Sequence, residues 1–281
     1  MNIYKTSSQI SYEIEQLKQK GKTIGFVPTM GCLHEGHLSL VKSSKKGNDI
    51  TIVSVFVNPN QFNNPEDLRN YPRTPEEDIK KLQSVNCDFL FMPSEKDIYP
   101  VKDERIFDFG ELDKVMEGKY RKNHFNGVVQ VVSNLFNIVK PDRAYFGQKD
   151  FQQLTIIKYL VKQLNLSVEI IPCPIIREKN GLAMSSRNEL LTSRQREEAS
   201  IINKVLKLAY SRVNEMTVKE IKDWVIESIN ANKEAKVEYF EIVDNENLKS
   251  INDWSDTKNI IGCIAVYFDK IRLIDNIKFN I

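Results

Sequence analysis

The sequence predicts an α/β chain: a doubly wound parallel sheet with helices on both faces, followed by a smaller C-terminal α+β domain. Apolar, β-branched runs alternate with amphipathic helical segments over the first two-thirds of the chain, the pattern of βαβ units and hence of a parallel sheet. That alternation gives way after about Arg187 to two helical segments and then a cluster of strands. At 281 residues the chain is long enough for two modest domains or one large one. They are expected over residues 1–180 and 181–281. No repeat, low-complexity tract or Gly/Ser linker separates them, so the join runs through 175–190.

The elements follow in order. Lys22 to Pro28 (KTIGFVP) reads as a short buried strand, Met30 to His37 (MGCLHEGH) as the turn after it, and Leu38 to Lys46 as helical. Asp49 to Val57 (DITIVSVFV) is a second strand, β-branched and apolar throughout. Pro75 to Val85 reads as a helix and Asp88 to Met92 as a third strand. Phe125 to Lys140 carries Val128, Val131, Val132, Leu135 and Val139 at helical spacing, which buries one face. Arg143 to Phe146 is a short strand, Asp150 to Leu164 an amphipathic helix, and Val168 to Pro172 the closing strand. Beyond Arg187, Thr192 to Val213 (with Thr192 as a cap) and Val218 to Asn230 are helices. Val237 to Val243, Asn259 to Phe268 and Ile271 to Ile274 are strands.

Composition narrows the function classes. Lys plus Arg total 40 against 38 for Asp plus Glu, so the balanced charge gives no reason to expect nucleic-acid or membrane-surface binding. Cys32, Cys87, Cys173 and Cys263 are scattered with no C-x-x-C pair, which argues against a zinc site or a disulfide scaffold. The first twelve residues lack the basic-then-apolar order of a signal peptide, and no apolar run approaches the roughly 20 residues that span a bilayer. A cytoplasmic location is expected.

Three motifs at strand ends carry chemistry, where parallel sheets bind their ligands. In Met30-Gly31-Cys32-Leu33-His34-Glu35-Gly36-His37, two of the three histidines lie three residues apart after a buried strand. If Gly36 opens a helix, its backbone N–H groups and the positive dipole end face an anion, with two imidazole donors beside them. Structural histidines or a metal site compete with this reading. The metal is disfavoured because no third histidine lies nearby to complete a ligand set. The helix start is also expected to activate the Cys32 thiol. In Gly147-Gln148-Lys149-Asp150, Lys149 supplies a point charge to phosphate, the alternative being a solvated helix cap. In Met184-Ser185-Ser186-Arg187, two hydroxyls and a guanidinium suit polyphosphate oxygens, the alternative again being capping.

Together the three give the pattern of the nucleotidylyltransferase superfamily, and the resemblance reaches further. Pro28 to Val41, Val57 to Phe62 (VNPNQF), Tyr71 to Asp78 (YPRTPEED), His124 to Val128 (HFNGV), Pro141 to Gln153 (PDRAYFGQKDFQQ) and Leu182 to Asn188 (LAMSSRN) resemble the pantothenate synthetase, or pantoate–β-alanine ligase, family. The C-terminal third resembles it only in length and general pattern. The resemblance implies a Rossmann-like nucleotide- and pantoate-binding domain, a C-terminal lid, and a homodimer. It implies ATP-dependent condensation of (R)-pantoate with β-alanine through pantoyl-adenylate, releasing AMP and pyrophosphate. Carried over, Met30 to His37 contact ATP, with His34 and His37 catalytic and His37 the proton donor. Gly147 to Asp150, with Lys149 catalytic, Ile176, and Met184 to Arg187 also line the nucleotide. Gln61 meets pantoate and β-alanine, and Gln153 meets pantoate. The acidic position matching a magnesium site lies at Glu77 and Asp78. The chain departs from the family pattern at Cys32, in place of a small inert residue, and at Lys122-Asn123, in place of Pro-Gly.

Two other readings stand against this one. A plain nucleotidylyltransferase acting on a phosphorylated precursor would favour Arg or Lys where Gln61 and Gln153 stand. A binding module for nucleotide or RNA is opposed by the intact histidines and the absence of a basic stripe with interleaved aromatics.

Overall fold

A computed structural model describes residues 1–280. The first part of the chain runs β1 (Asn2–Tyr4), α1 (Ser7–Gln19), β2 (Ile24–Thr29), α2 (Glu35–Gly47), β3 (Ile50–Val55), α3 (Pro65–Asn70), α4 (Pro75–Ser84), β4 (Phe89–Phe91) and α5 (Glu95–Ile98). It continues with α6 (Met116–Tyr120), α7 (His124–Val139), β5 (Arg143–Gly147), α8 (Phe151–Gln163) and β6 (Glu169–Cys173). After these come α9 (Ser193–Glu198), α10 (Ile201–Ser211), α11 (Val218–Asn230), β7 (Ala235–Asp244), β8 (Ile260–Phe268) and β9 (Ile271–Phe279).

Among the described residues the first six strands form one parallel sheet in the order β1-β4-β3-β2-β5-β6. This is the predicted doubly wound arrangement. The order reverses between β2 and β5, the switch point at which such sheets open a crevice beyond their carboxyl ends. Pairing of β2 with β5 covers Gly25↔Arg143 and Phe26↔Ala144. Beyond these the two strands no longer pair with each other, while β2 stays paired to β3 through Thr29 and β5 to β6 through Gly147. β2 and β3 are buried because Ile24, Phe26, Val27, Ile52 and Val53 offer apolar surface to both faces.

The chain divides into two compact units: residues 1–109, 120–148 and 153–174 in the first, and 110–119, 149–152 and 175–281 in the second. The second is built on the antiparallel sheet β7-β8-β9. One face of that sheet takes α10 and α11 through Ile202, Leu206, Ile221 and Val225, packed with Phe240, Ile264 and Phe268. A separate cluster of buried residues that includes Met116, Tyr239 and Val243 takes in Leu112, Val115 and Phe151. Arg272 pairs with Glu117 and Glu238 in a largely buried cluster, and Tyr239 Oη donates to Glu117 at 2.8 Å. These contacts are why 110–119 and 149–152 belong to the second unit.

Several expectations about local structure change. The N-terminal stretch contains a strand and a helix: Thr6 caps α1, and Ile10 and Ile14 bury one face of it. The single helix expected from Thr192 to Val213 is two. Thr192 caps α9 in a capping box with Gln195, and α10 starts only at Ile201. β9 extends five residues beyond the expected Ile274, to Phe279.

Candidate active site

In the first unit, the loop after β2 is folded around its own polar groups. Gly31 (φ 85°) and Cys32 (φ 49°) are both left-handed, a turn that carries the neighbouring N–H groups toward one point. The anion at that point is Asp78 of α4, 1% exposed. Its Oδ2 accepts from Cys32 N at 3.0 Å, and its Oδ1 from Leu33 N at 2.7 Å and Thr74 Oγ1 at 3.3 Å. A side chain at Gly31 would stand 3.0 Å from the same carboxylate, so glycine is required for the approach as well as for the turn. Lys81 Nζ, one turn further along α4, donates to Leu33 O at 2.7 Å.

α2 opens at Glu35, one residue before the expected Gly36, with His34 as its N-cap. Gly36 N donates to His34 Nδ1 at 3.1 Å, and His34 N donates to His37 Nδ1 at 3.3 Å. The histidines thus fill the places that Ser and Glu take in an ordinary capping box. Gly31 N goes to Thr29 Oγ1 at 3.2 Å. The N–H groups of Gly31, Cys32, Leu33, His34 and Gly36 are therefore bonded within the chain, so these five are not the free backbone donors the sequence suggested. What the loop offers instead is imidazole. A ring that accepts at Nδ1 carries its hydrogen on Nε2, so both half-buried rings, with centroids 4.0 Å apart, present Nε2–H donors.

Gln61, 8% exposed, closes a three-residue 3₁₀ turn (Pro59–Gln61). Its Nε2 meets Met30 Sδ at 2.8 Å, which joins it to the same loop, and its Oε1 accepts from Asn58 Nδ2 at 3.3 Å. Sequence reasoning missed the residues that hold it. Asn58 also donates to Gly127 O at 3.0 Å and accepts from Tyr99 Oη at 2.8 Å. Burial, chiefly, pushes the Tyr99 hydroxyl up, so it stays protonated as that donor. His124 Nδ1 donates to Gln61 O at 2.8 Å. Gly127 lets α7 close on the turn, since a Cβ there would meet Asn60 O at 2.2 Å. Asn-Pro at 58–59, a turn signal, is the cue that could have singled out Asn58. Before His124, Asn123 is left-handed (φ 61°), a conformation Asn tolerates best after glycine. Gln153 is half-buried on the first turn of α8, Gly147 ends β5, and Gln148 N just after it donates to Cys173 O at 2.8 Å.

Glu77 is exposed while Asp78 is buried and holds the loop. Among the described residues no group of three or more His, Cys, Asp or Glu could hold a metal ion. The residues present do not fit a protein-ligated magnesium at 77–78. Cys32 is only 8% exposed, so the fold does not present the accessible thiol expected of it.

In the second unit, Lys149 Nζ donates to Met184 O at 3.3 Å, and Met184 N donates to Ile176 O at 3.0 Å. The structure thus brings together three of the segments singled out in the sequence. Ser185 caps the 3₁₀ turn Ser186–Leu190 by accepting from Arg187 N at 3.2 Å, so capping accounts for one of the two hydroxyls. Ser186 is buried, and Asp150 and Arg187 are half-buried.

The pantoate-beta-alanine ligase family matches the chain over residues 2–278. The pantothenate synthetase of Azobacteroides pseudotrichonymphae is 53% identical over 280 residues, 99% of this chain and 100% of that protein. That of Porphyromonas gingivalis W83 is 49% identical, covering 100% of both chains. Among solved structures, pantothenate synthetase from Thermus thermophilus superposes with a TM-score of 0.93 at 37% identity over 100% of both chains. Pantoate-beta-alanine ligase from Francisella tularensis, in complex with beta-gamma ATP and beta-alanine, gives 0.84 at 40% identity over 100% of this chain and 98% of that one.

Proposed function

The chain belongs to the pantoate–β-alanine ligase family, and from that premise we propose how its residues divide the reaction. It is an ATP-dependent ligase that condenses pantoate with β-alanine. A pantoate carboxylate oxygen attacks the α-phosphorus of ATP and pyrophosphate leaves. The amine of β-alanine then attacks the carbonyl carbon of pantoyl-adenylate, and AMP leaves with the bridging oxygen.

The observation that carries the residue assignment is the capping of His34 and His37 at Nδ1. With Nδ1 accepting, each ring carries its hydrogen on Nε2, and we assign these two donors to phosphate oxygens that gain charge as pyrophosphate departs. His37 is assigned the proton-donating role. Lys149 adds a point charge, and Met184 to Arg187 with Ile176 complete the nucleotide contacts. Gln61 and Gln153 hold pantoate, because an amide both donates to a carboxylate and accepts from a hydroxyl. Gln61 also receives β-alanine. Magnesium would arrive with ATP, neutralising phosphate charge, and no ligand role is assigned to Asp78. On the same footing the working form is a cytoplasmic homodimer.

ATP–pyrophosphate exchange across a panel of hydroxy acids tests this reading. Exchange is expected with pantoate alone, before any amine is added. Exchange that requires β-alanine, or release of ADP, would contradict an adenylate.

A further inference from the structure

In the second unit, two adjacent residues of β9 touch both arms of the nucleotide motif. Asn276, 8% exposed, donates from Nδ2 to Lys149 O at 3.0 Å. Asp275, 4% exposed, takes both arms of the Arg177 guanidinium, at 2.6 and 2.9 Å. Successive strand residues face opposite ways, so the pair reaches two separate segments. Arg177 opens a tight hairpin: it bridges to Ala183, Glu178 N donates to Leu182 O at 2.8 Å, and Arg177 Nη1 also donates to Gly181 O at 3.2 Å. Asn188 pins the hairpin from its other side, donating to Glu178 Oε1 at 2.7 Å and Ala183 O at 3.1 Å. Next in the hairpin, Met184 N bonds Ile176 O, and Met184 O receives Lys149 Nζ. These hydrogen bonds, with the Ile176–Arg177 peptide bond, close a ring through Lys149, Asn276, Asp275, Arg177, Ile176 and Met184. Asn276 N, donating to Asp275 Oδ1 at 2.8 Å, couples the two β9 residues directly.

We propose that Asp275 and Asn276 are positioning residues for adenylate formation, holding the Lys149 segment and the 176–187 segment in fixed register. Neither residue touches the reacting atoms. Asn276 fixes the backbone from which the Lys149 ammonium extends, and Asp275 fixes the hairpin that delivers Met184 to Arg187. A carbonyl held by an amide N–H and a guanidinium gripped by both carboxylate oxygens are geometrically exacting contacts. The burial of both residues keeps water from substituting for them. The inference rests on the reading that Lys149 and Met184 to Arg187 meet ATP.

The test is steady-state kinetics on the full-length enzyme, normalised to folded protein, for Asn276→Ala, Lys149→Ala and the double variant. Loss of one such bond should raise KM for ATP or lower kcat/KM for ATP roughly 3- to 10-fold, with KM for pantoate unchanged. Asn276→Asp, which sets a carboxylate against the Lys149 carbonyl, should be worse than Asn276→Ala. In the Lys149→Ala background, Asn276→Ala should add nothing, a coupling that a merely structural residue would not show. Asp275→Asn, normalised in the same way, should raise KM for ATP as Asn276→Ala does, and normal ATP kinetics in it would remove Asp275 from the role. Normal ATP kinetics in Asn276→Ala, with Lys149→Ala impaired, would overturn the positioning role and leave the ATP reading standing. Normal ATP kinetics in Lys149→Ala would remove the premise and the proposal with it.

Discussion

The carboxylate of Asp78 lies 2.7 Å from the backbone nitrogen of Leu33, forty-five residues earlier, and fills an anion-binding turn with the chain's own charge. Asp78 is thus a clamp on the loop that bears the histidines. Hydrogen bonds to a charged group are worth about 1.5–3 kcal/mol each. Asp78→Asn, which must turn an N–H toward one of two backbone donors, is expected to destabilise the fold by about that amount. It should weaken ATP use and leave the magnesium dependence of the reaction unchanged. A magnesium titration shifted to higher concentration, at normal stability, would restore Asp78 as a metal ligand.

The two roles of His34 can be separated. His34→Ala removes an N-cap, at about 0.5–2 kcal/mol, whereas His34→Asn keeps a capping side chain. Thermal denaturation should therefore distinguish the two variants while turnover falls in both. His37→Ala should lower turnover by roughly 10²–10³-fold, as loss of a single charge-stabilising donor does elsewhere. Full activity in His34→Asn would leave that ring with a structural role only.

Gln61 and Gln153 should differ by step. Gln153→Ala is expected to impair pyrophosphate exchange and overall synthesis together. Gln61→Ala should in addition respond poorly to β-alanine when supplied with preformed pantoyl-adenylate, by an amount on the order of 1–3 kcal/mol. Wild-type conversion of isolated adenylate by Gln61→Ala, in single-turnover kinetics, would exclude it from amine capture.

Acid stability follows from Asp49, whose carboxylate accepts from Thr23 N at 2.9 Å and Thr23 Oγ1 at 2.8 Å beside Lys22. The Thr23 backbone bond, then its hydroxyl, then Lys22 hold its pKa down to about 2. The folded state is therefore the weaker proton binder. Its gain is full above the unfolded value of about 3.9 and is lost as pH falls from there to about 2. Asp49→Asn should be less stable at neutral pH and show a shallower decline across that window. Parallel acid branches for wild type and variant would contradict this.

Much of the first unit is legible in the sequence because its strands and helices are long apolar runs with clear periods. β9 shows where legibility stops. Asp275 and Asn276 are poor strand formers, so a local reading ends the strand at Ile274, yet these are the residues that hold Arg177 and Lys149. The break between α9 and α10 at Ala199–Ser200 carries neither Pro nor Gly to announce it. The carboxylate of Asp78 was readable as acidic, but not as turned back onto Cys32 and Leu33. Such pairings are set by tertiary contacts between distant segments, and no local pattern encodes them.

The start of α2 fixes the tautomer of the paired histidines, and ¹⁵N NMR of the imidazoles measures it directly. The chain has only three histidines, so single variants assign every resonance. His34 and His37, accepting at Nδ1, should both show a bare Nδ1 and a protonated Nε2 at neutral pH. His124, whose Nδ1 faces the Gln61 carbonyl, should show the reverse. Two rings protonated at Nε2 and one at Nδ1 is the expected spectrum. A bare Nε2 on His37 would contradict the account, because that ring would then have no hydrogen to direct at phosphate.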